Sequence, residues 1–194
     1  MIDSKPDLNR RSAILDAALR VFGRYGYRKT TMNEIAAAAD ISKPGLYLHF
    51  SSKDQIFTSA LEKYLVDRLA RVDAVLAQTG KPLETRLLDA VEEWFGQHLL
   101  VFLPGAFDVI PEGDRLSANR VEASKTAYKD RLAAALMQHG IGKADADDRA
   151  HIIFLCGLSW KQPGTTSESF RENLAICVRV CCETSTRPHE GHLK

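Results

Sequence analysis

No run of apolar residues in the chain approaches the roughly 18 needed to cross a bilayer, and the opening MIDSKPDLNRRS lacks the apolar centre of an export signal. A membrane partner is therefore not expected, and the protein should be cytoplasmic. Cysteine is scarce and late, with Cys156, Cys177, Cys181 and Cys182 forming no C-x-x-C pair and no regular framework, so a disulfide scaffold is not indicated. There is no Gly-rich phosphate loop after a strand, no H-E-x-x-H and no G-x-S-x-G. Nothing positive points to an enzyme, and no cofactor or metal is implied. β-Branched residues never gather into runs punctuated by hairpin turns, which argues against a sheet. An excess of one charge is also missing overall, with 26 Lys and Arg against 25 Asp and Glu.

What is present is an ordinary globular chain of 194 residues with 45% hydrophobic content, long enough to bury about 70% of its unfolded surface. The near-neutral charge hides a gradient. Up to Gln55 there are nine basic and six acidic residues, and the remainder has 17 against 19. Any phosphate-binding surface therefore belongs to the first quarter of the chain.

Apolar residues recur at helical spacing nearly everywhere, which predicts an all-α protein. Arg11 to Tyr25 places Ile14, Leu15, Ala18, Val21 and Phe22 on one face and stops at Gly23 and Gly26. Thr31-Met32-Asn33-Glu34 is a capping box that starts a short helix ending near Asp40. Ser42 can cap a third helix with Pro44 in its first turn. Ser52-Lys53-Asp54-Gln55 starts a long helix reaching about Gln78. Further helices are predicted from Leu83 to about Phe102, Ser117 to His139, Ala144 to Trp160 and Thr166 to Thr184, with a break from Pro104 to Asp114. The last two are apolar almost all round over Ile152 to Leu158 and Leu174 to Cys182, so both faces need cover. One face can meet the chain's own core and the other a second copy, in a four-helix dimer interface. Ile153, Gly157, Trp160, Phe170, Leu174, Cys177, Val178 and Cys181 are the residues assigned to it.

Residues 31 to 50 have the layout of a helix-turn-helix, whose second helix enters the DNA major groove. Ile35, Ala36, Ala39, Ile41, Leu46 and Phe50 supply its small core. The outward set Lys43, Pro44, Gly45, Tyr47 and His49 suits DNA. Gly45 permits close approach, Pro44 offers an apolar face to a thymine methyl, and Tyr47 and His49 can donate to phosphates or base edges. Lys43 and Lys53 add charge, and Thr31 and Lys53 sit at helix N-termini that favour phosphate.

The run ILDAALRVFGRYGYRKTTMNEIAAAADISKPGLYLHFSSKDQIF, from Ile14 to Phe57, strongly resembles the TetR family of bacterial transcriptional regulators, most closely in TTMNEIA, ISKPGLYLHF and SSKDQIF. The resemblance implies DNA contacts from Thr31, Lys43, Gly45, Tyr47, His49 and Lys53, with Pro44 close to the bases. Asp40 departs from the family, which usually has Gly there because the turn is left-handed. The family further implies a homodimer on double-stranded DNA, with a helix-turn-helix domain over residues 1–52, a helical ligand-binding and dimerisation domain over 53–184 and a flexible tail over 185–194. A small-molecule effector would change the spacing of the two recognition helices and release a near-palindromic operator, most often as a repressor. Trp94, His98, Phe102, Phe107, Tyr128 and Phe154 are candidates for lining the effector site. Two alternatives stay open on the same scaffold, a DNA-binding protein without an effector and a redox or metal sensor built on Cys177 and Cys181.

Overall fold

The computed structural model describes residues 5–96, 109–158 and 167–183, and the regular elements among them are all helical. They are α1 (Lys5–Lys29), α2 (Met32–Ala38), α3 (Lys43–His49), α4 (Lys53–Leu76), α5 (Leu83–Val91), a π-helical turn (Glu92–Gly96), α6 (Val109–Gln138), α7 (Lys143–Leu158) and α8 (Ser167–Cys182). Capping explains where several begin. Ser42 accepts from the Gly45 amide, and Pro44 stands in the first turn of α3, where its missing N–H costs nothing. α1 breaks at Gly26, whose φ of 79° a side-chain-bearing residue would resist, and the Thr30 hydroxyl donates to the Gly26 carbonyl at 2.6 Å to close the bend.

The chain divides into two compact units, Met1–Arg71 with Gly96–Ala127 and Val72–Phe95 with Tyr128–Lys194. The division departs from the expected boundary at residue 52. The physical reason lies in the first core, where Ile14, Ala18 and Phe22 of α1, Ile35 of α2 and Leu46 and Phe50 around α3 share one cluster with Ile56, Phe57 and Ala60 of α4. Phe57 meets Phe22 and Tyr27 edge-on, with ring centroids 5.1 and 5.0 Å apart. The start of α4 is thus part of the helix-turn-helix core.

The expected break from Pro104 to Asp114 holds for none of the described part of that stretch. Residues 104–108 lie outside the described residues, and from Val109 the chain is helical. Pro111 occurs within the first turn of α6, a position that tolerates it. Regularity is lost instead at Ser117, with φ −147° and ψ 28°. Within the first unit Leu116 packs against the core, and Glu112 is held by Arg115 at 2.5 Å and Arg28 at 3.8 Å.

In the second unit Leu87, Ala90 and Val91 of α5, Leu132 and Leu136 of α6, Ala146, Ala150 and Ile153 of α7, and Leu174 and Val178 of α8 are buried. Gly157 permits the closest approach, since a Cβ there would stand 2.3 Å from the Phe95 ring. Arg149 ties α7 to the end of α8 by donating to the carbonyls of Cys181 and Glu183 at 2.9 and 2.6 Å. Among the described residues no helix is long and apolar enough to cross a membrane.

Candidate nucleic-acid interface

The site begins with a local bond that the sequence announces. The Thr31 hydroxyl accepts from the Glu34 amide while the Glu34 carboxylate accepts from the Thr31 amide at 2.7 Å, so the capping box is complete. At the other end of α2 the Asp40 amide donates to the Ala37 carbonyl and the Ile41 amide to the Ala36 carbonyl. The turn this closes puts Asp40 at φ 53°, the left-handed conformation for which glycine is the usual choice. Asp40→Gly is expected to raise stability by about 0.5 kcal/mol and Asp40→Val to lower it by about 1–2 kcal/mol, read as shifts in the urea midpoint.

α3 carries two faces set by its period. Leu46 and Phe50, one turn apart, are buried in the first core, whereas Lys43, Pro44, Tyr47 and Leu48 are exposed. Arg11 secures the far end by donating to the His49 carbonyl at 2.7 Å and lying 4.1 Å over the Phe50 ring. Arg10 reaches the Asp40 carbonyl at 3.2 Å. Both ends of the turn-helix segment are therefore fastened to α1. Gly45 is half-buried, and a Cβ there would lie 3.2 Å from the Ser42 hydroxyl that caps the helix. His49 is half-buried as well, and Thr31 is exposed at the start of α2.

Leu48 was missed in the sequence. It is 86% exposed on α3, beside Tyr47 and one turn beyond Pro44. The signal was available, because Leu46 and Phe50 inward place 44, 47 and 48 outward. Leu48 therefore leaves an apolar side chain in water beside Tyr47 and Pro44.

Lys53 takes a different part from the one expected. Its ammonium donates to the carbonyls of Tyr27, Thr30 and Arg28 at 2.9, 3.0 and 3.4 Å and lies 4.4 Å from the Tyr27 ring centre. All three protons are turned inward to carbonyls at the end of α1, so the side chain is a C-terminal cap rather than a cation extended to solvent. Lys53→Met is expected to lower stability by about 1 kcal/mol, discounted for partial exposure, and a thermal melt checks it. The neighbouring Tyr27 hydroxyl donates to Asp54, and burial followed by that bond pushes the phenol up to about 12.

In the second unit, three of the six residues expected around an effector come together. Tyr128 stacks on Trp94 at 4.7 Å and 13°, and Phe154 lies 6.2 Å from it. Phe95 completes the cluster, 6.0 Å from Tyr128 and 5.6 Å from Phe154. The Tyr128 hydroxyl is buried without a hydrogen-bond partner, and burial holds its phenol well above the usual range. His98, Phe102 and Phe107 lie outside the described residues.

The residues expected at a dimer interface require a correction of face. Ile153, Gly157, Phe170, Leu174, Val178 and Cys181 are buried inside the chain and have almost no surface left to offer a second copy. Trp160 lies outside the described residues, and Cys177 is half-buried. The outward aliphatic residues of the same two helices are Ile152 and Leu155 on α7 and Ile176 and Val180 on α8, about half exposed. A segment apolar on all sides gives no period from which to choose the inner face.

Residues 14–60 match the family described as bacterial regulatory proteins, tetR family. The chain is 29% identical over 140 residues to the HTH-type transcriptional regulator YerO of Bacillus subtilis, covering 69% of this chain and 48% of that one. It is 39% identical over 90 residues to the HTH-type transcriptional activator FasR of Mycolicibacterium smegmatis, covering 46% and 41%. The chain thus spans less than half the length of these curated relatives. A crystal structure of a TetR-family transcriptional regulator from Mesorhizobium loti superposes with a TM-score of 0.73 at 19% identity, covering 90% of this chain and 95% of the other. That likeness is one of fold.

Proposed function

We propose that this chain, which belongs to the TetR family of bacterial regulatory proteins, controls transcription by binding a near-palindromic operator as a homodimer and leaving it when a small molecule binds. The observation that carries the reading is the face of α3, with Lys43, Pro44, Tyr47 and Leu48 exposed on a helix held at both ends by Arg10, Arg11 and the first core. A structural helix has no need of that set. Lys43 and Tyr47 suit phosphate, Pro44 and Leu48 suit thymine methyls, and Thr31 sits at a helix start that favours phosphate. Gly45 and His49 complete the contact surface, while Lys53 supports it from behind.

The second copy is assigned to the outward row Ile152, Leu155, Ile176 and Val180, where two adjoining helices leave four aliphatic side chains in water. The effector is assigned to the aromatic cluster of Trp94, Tyr128 and Phe154. The unpaired Tyr128 hydroxyl supports this, since a buried donor without an acceptor is costly until something supplies one. α4 and α6 each contribute residues to both units, so a shift in either has a covalent route to α3. Repression is the mode proposed. The sign depends on where the operator lies relative to the promoter, which a reporter fused to that promoter decides in the presence and absence of the gene.

The binding test is a mobility shift with the DNA upstream of the chain's own gene, against random DNA, over half-decade steps of salt. A shift specific for that DNA and weakened steeply by salt is expected. Equal affinity for random DNA would sink the operator reading.

A further inference from the structure

Leu48 is the most exposed large apolar side chain among the described residues, at 86% against 59% for Val66, the next highest. It stands on α3 with Pro44, one turn before it, and Tyr47, its neighbour, both exposed, so the three make one outward patch of mainly carbon surface. The packing of the chain gains nothing from that patch. Leu46 and Phe50 already seat the helix in the first core, and a leucine left in water forgoes the stabilisation that burial would give it.

The polar groups that could read a base beside this patch are engaged or absent. α3 runs Lys-Pro-Gly-Leu-Tyr-Leu-His, with no Arg, Asn, Gln, Asp or Glu to pair with the edges of guanine, adenine or cytosine. Just before it, the Ser42 hydroxyl accepts from the Gly45 amide at 3.1 Å. The Thr31 hydroxyl donates to the Glu34 carboxylate at 2.9 Å, and the same carboxylate oxygen accepts from the Thr31 amide. Asn33 belongs to α2, the helix of such a pair that crosses the backbone. Lys43 remains as a cation, and a lysine on phosphate positions the helix without selecting a base. What α3 offers a base pair is therefore carbon. In the major groove a single base carries an apolar group, thymine with its C5 methyl.

With α3 docked in the major groove as proposed, we infer that the operator half-site is read through thymine methyl groups, Leu48 being the specificity-determining residue and Pro44 its companion, a reading that rests on that docking. The carbonyl of His49, the residue after Leu48, accepts from Arg11 at 2.7 Å, so the backbone that carries Leu48 is anchored to α1. A methyl contact discriminates thymine from cytosine by apolar surface alone, and it carries no charge. Sequence preference then belongs to Leu48 and Pro44, while the dependence on salt belongs to Lys43.

The test uses the full-length chain and the DNA sites it enriches from a random-sequence pool. Each enriched site is made in three forms: with thymine, with uracil, which differs only in lacking the methyl, and with 5-bromouracil, whose halogen fills the methyl's place. In a mobility shift against random competitor, the chain is expected to bind the uracil form roughly tenfold or more weakly than the thymine form, and the bromouracil form within about threefold of it. Leu48→Ala should bind the thymine form about fivefold more weakly and lose no more than about threefold further on uracil, which separates the side-chain contact from any change in the duplex itself. Its thermal midpoint and salt slope should match the parent, because Leu48 is uncharged and lies outside the core. Equal affinity of the parent for the thymine and uracil forms would overturn the methyl reading while leaving specific DNA binding intact. Full methyl sensitivity in Leu48→Ala would remove Leu48 as the reader. A pool from which no site is enriched would overturn the docking of α3 on specific DNA, and the methyl reading with it.

Discussion

Tyr47→Ala is expected to weaken specific operator binding by roughly 100-fold in a mobility shift while leaving the thermal midpoint within about two degrees of the parent. The size follows from symmetry. Each copy loses a contact worth about 1.4 kcal/mol to DNA, and a dimer loses two, which multiplies to two decades. The fold is spared because Tyr47 is about half exposed, and its neighbours Leu46 and Phe50 carry the packing of α3. Lys43→Ala provides the contrast. A lysine that meets phosphate should flatten the dependence of affinity on salt, whereas loss of Leu48 should relax sequence preference with the salt slope unchanged. If Tyr47→Ala binds as tightly as the parent, the outward face of α3 is not the face that meets DNA.

The second large effect concerns the pairing of copies. Leu155→Glu combined with Val180→Glu is expected to convert a dimer to a monomer in sedimentation and to reduce operator affinity by about 10²–10⁴-fold. Both side chains already stand about half in water, so the charges cost little in the isolated chain but repel across an isologous contact, where each is repeated by the two-fold axis. Loss of the second recognition helix removes the gain from binding two half-sites at once, which is why a change remote from α3 in sequence acts so strongly on DNA. A double variant that remains a dimer would place the interface elsewhere on the chain. Val178→Glu is a poor substitute as a test, because Val178 is fully buried and its replacement would unfold the second unit instead.

Much of the helix-turn-helix was legible because its determinants are local. A capping box is complete within four residues, so Thr31 and Glu34 announce α2 wherever the chain is placed. Likewise Leu46 and Phe50 fix the inward side of α3 by spacing alone, and the family pattern marks Asp40 as the residue that has to turn left-handed. Leu48 was overlooked although the same spacing exposes it, since an apolar residue is easily taken for core. Lys53 makes contacts that its position alone does not announce. Its place at a helix start suggests phosphate, but its long stem reaches the end of α1, and the 26 residues separating Lys53 from Tyr27 are bridged only in the folded chain.

The sequence by itself determined an all-helical fold, the starts of the capped helices and the inward side of α3, because helix period and caps operate over three or four positions. Tertiary structure alone decided which sides of α7 and α8 turn inward, and that α4 and α6 each contribute to both compact units. These outcomes depend on which surfaces find one another across long stretches of chain. Where a helix is apolar on every side, its own pattern favours no face, and the neighbour it packs against makes the choice.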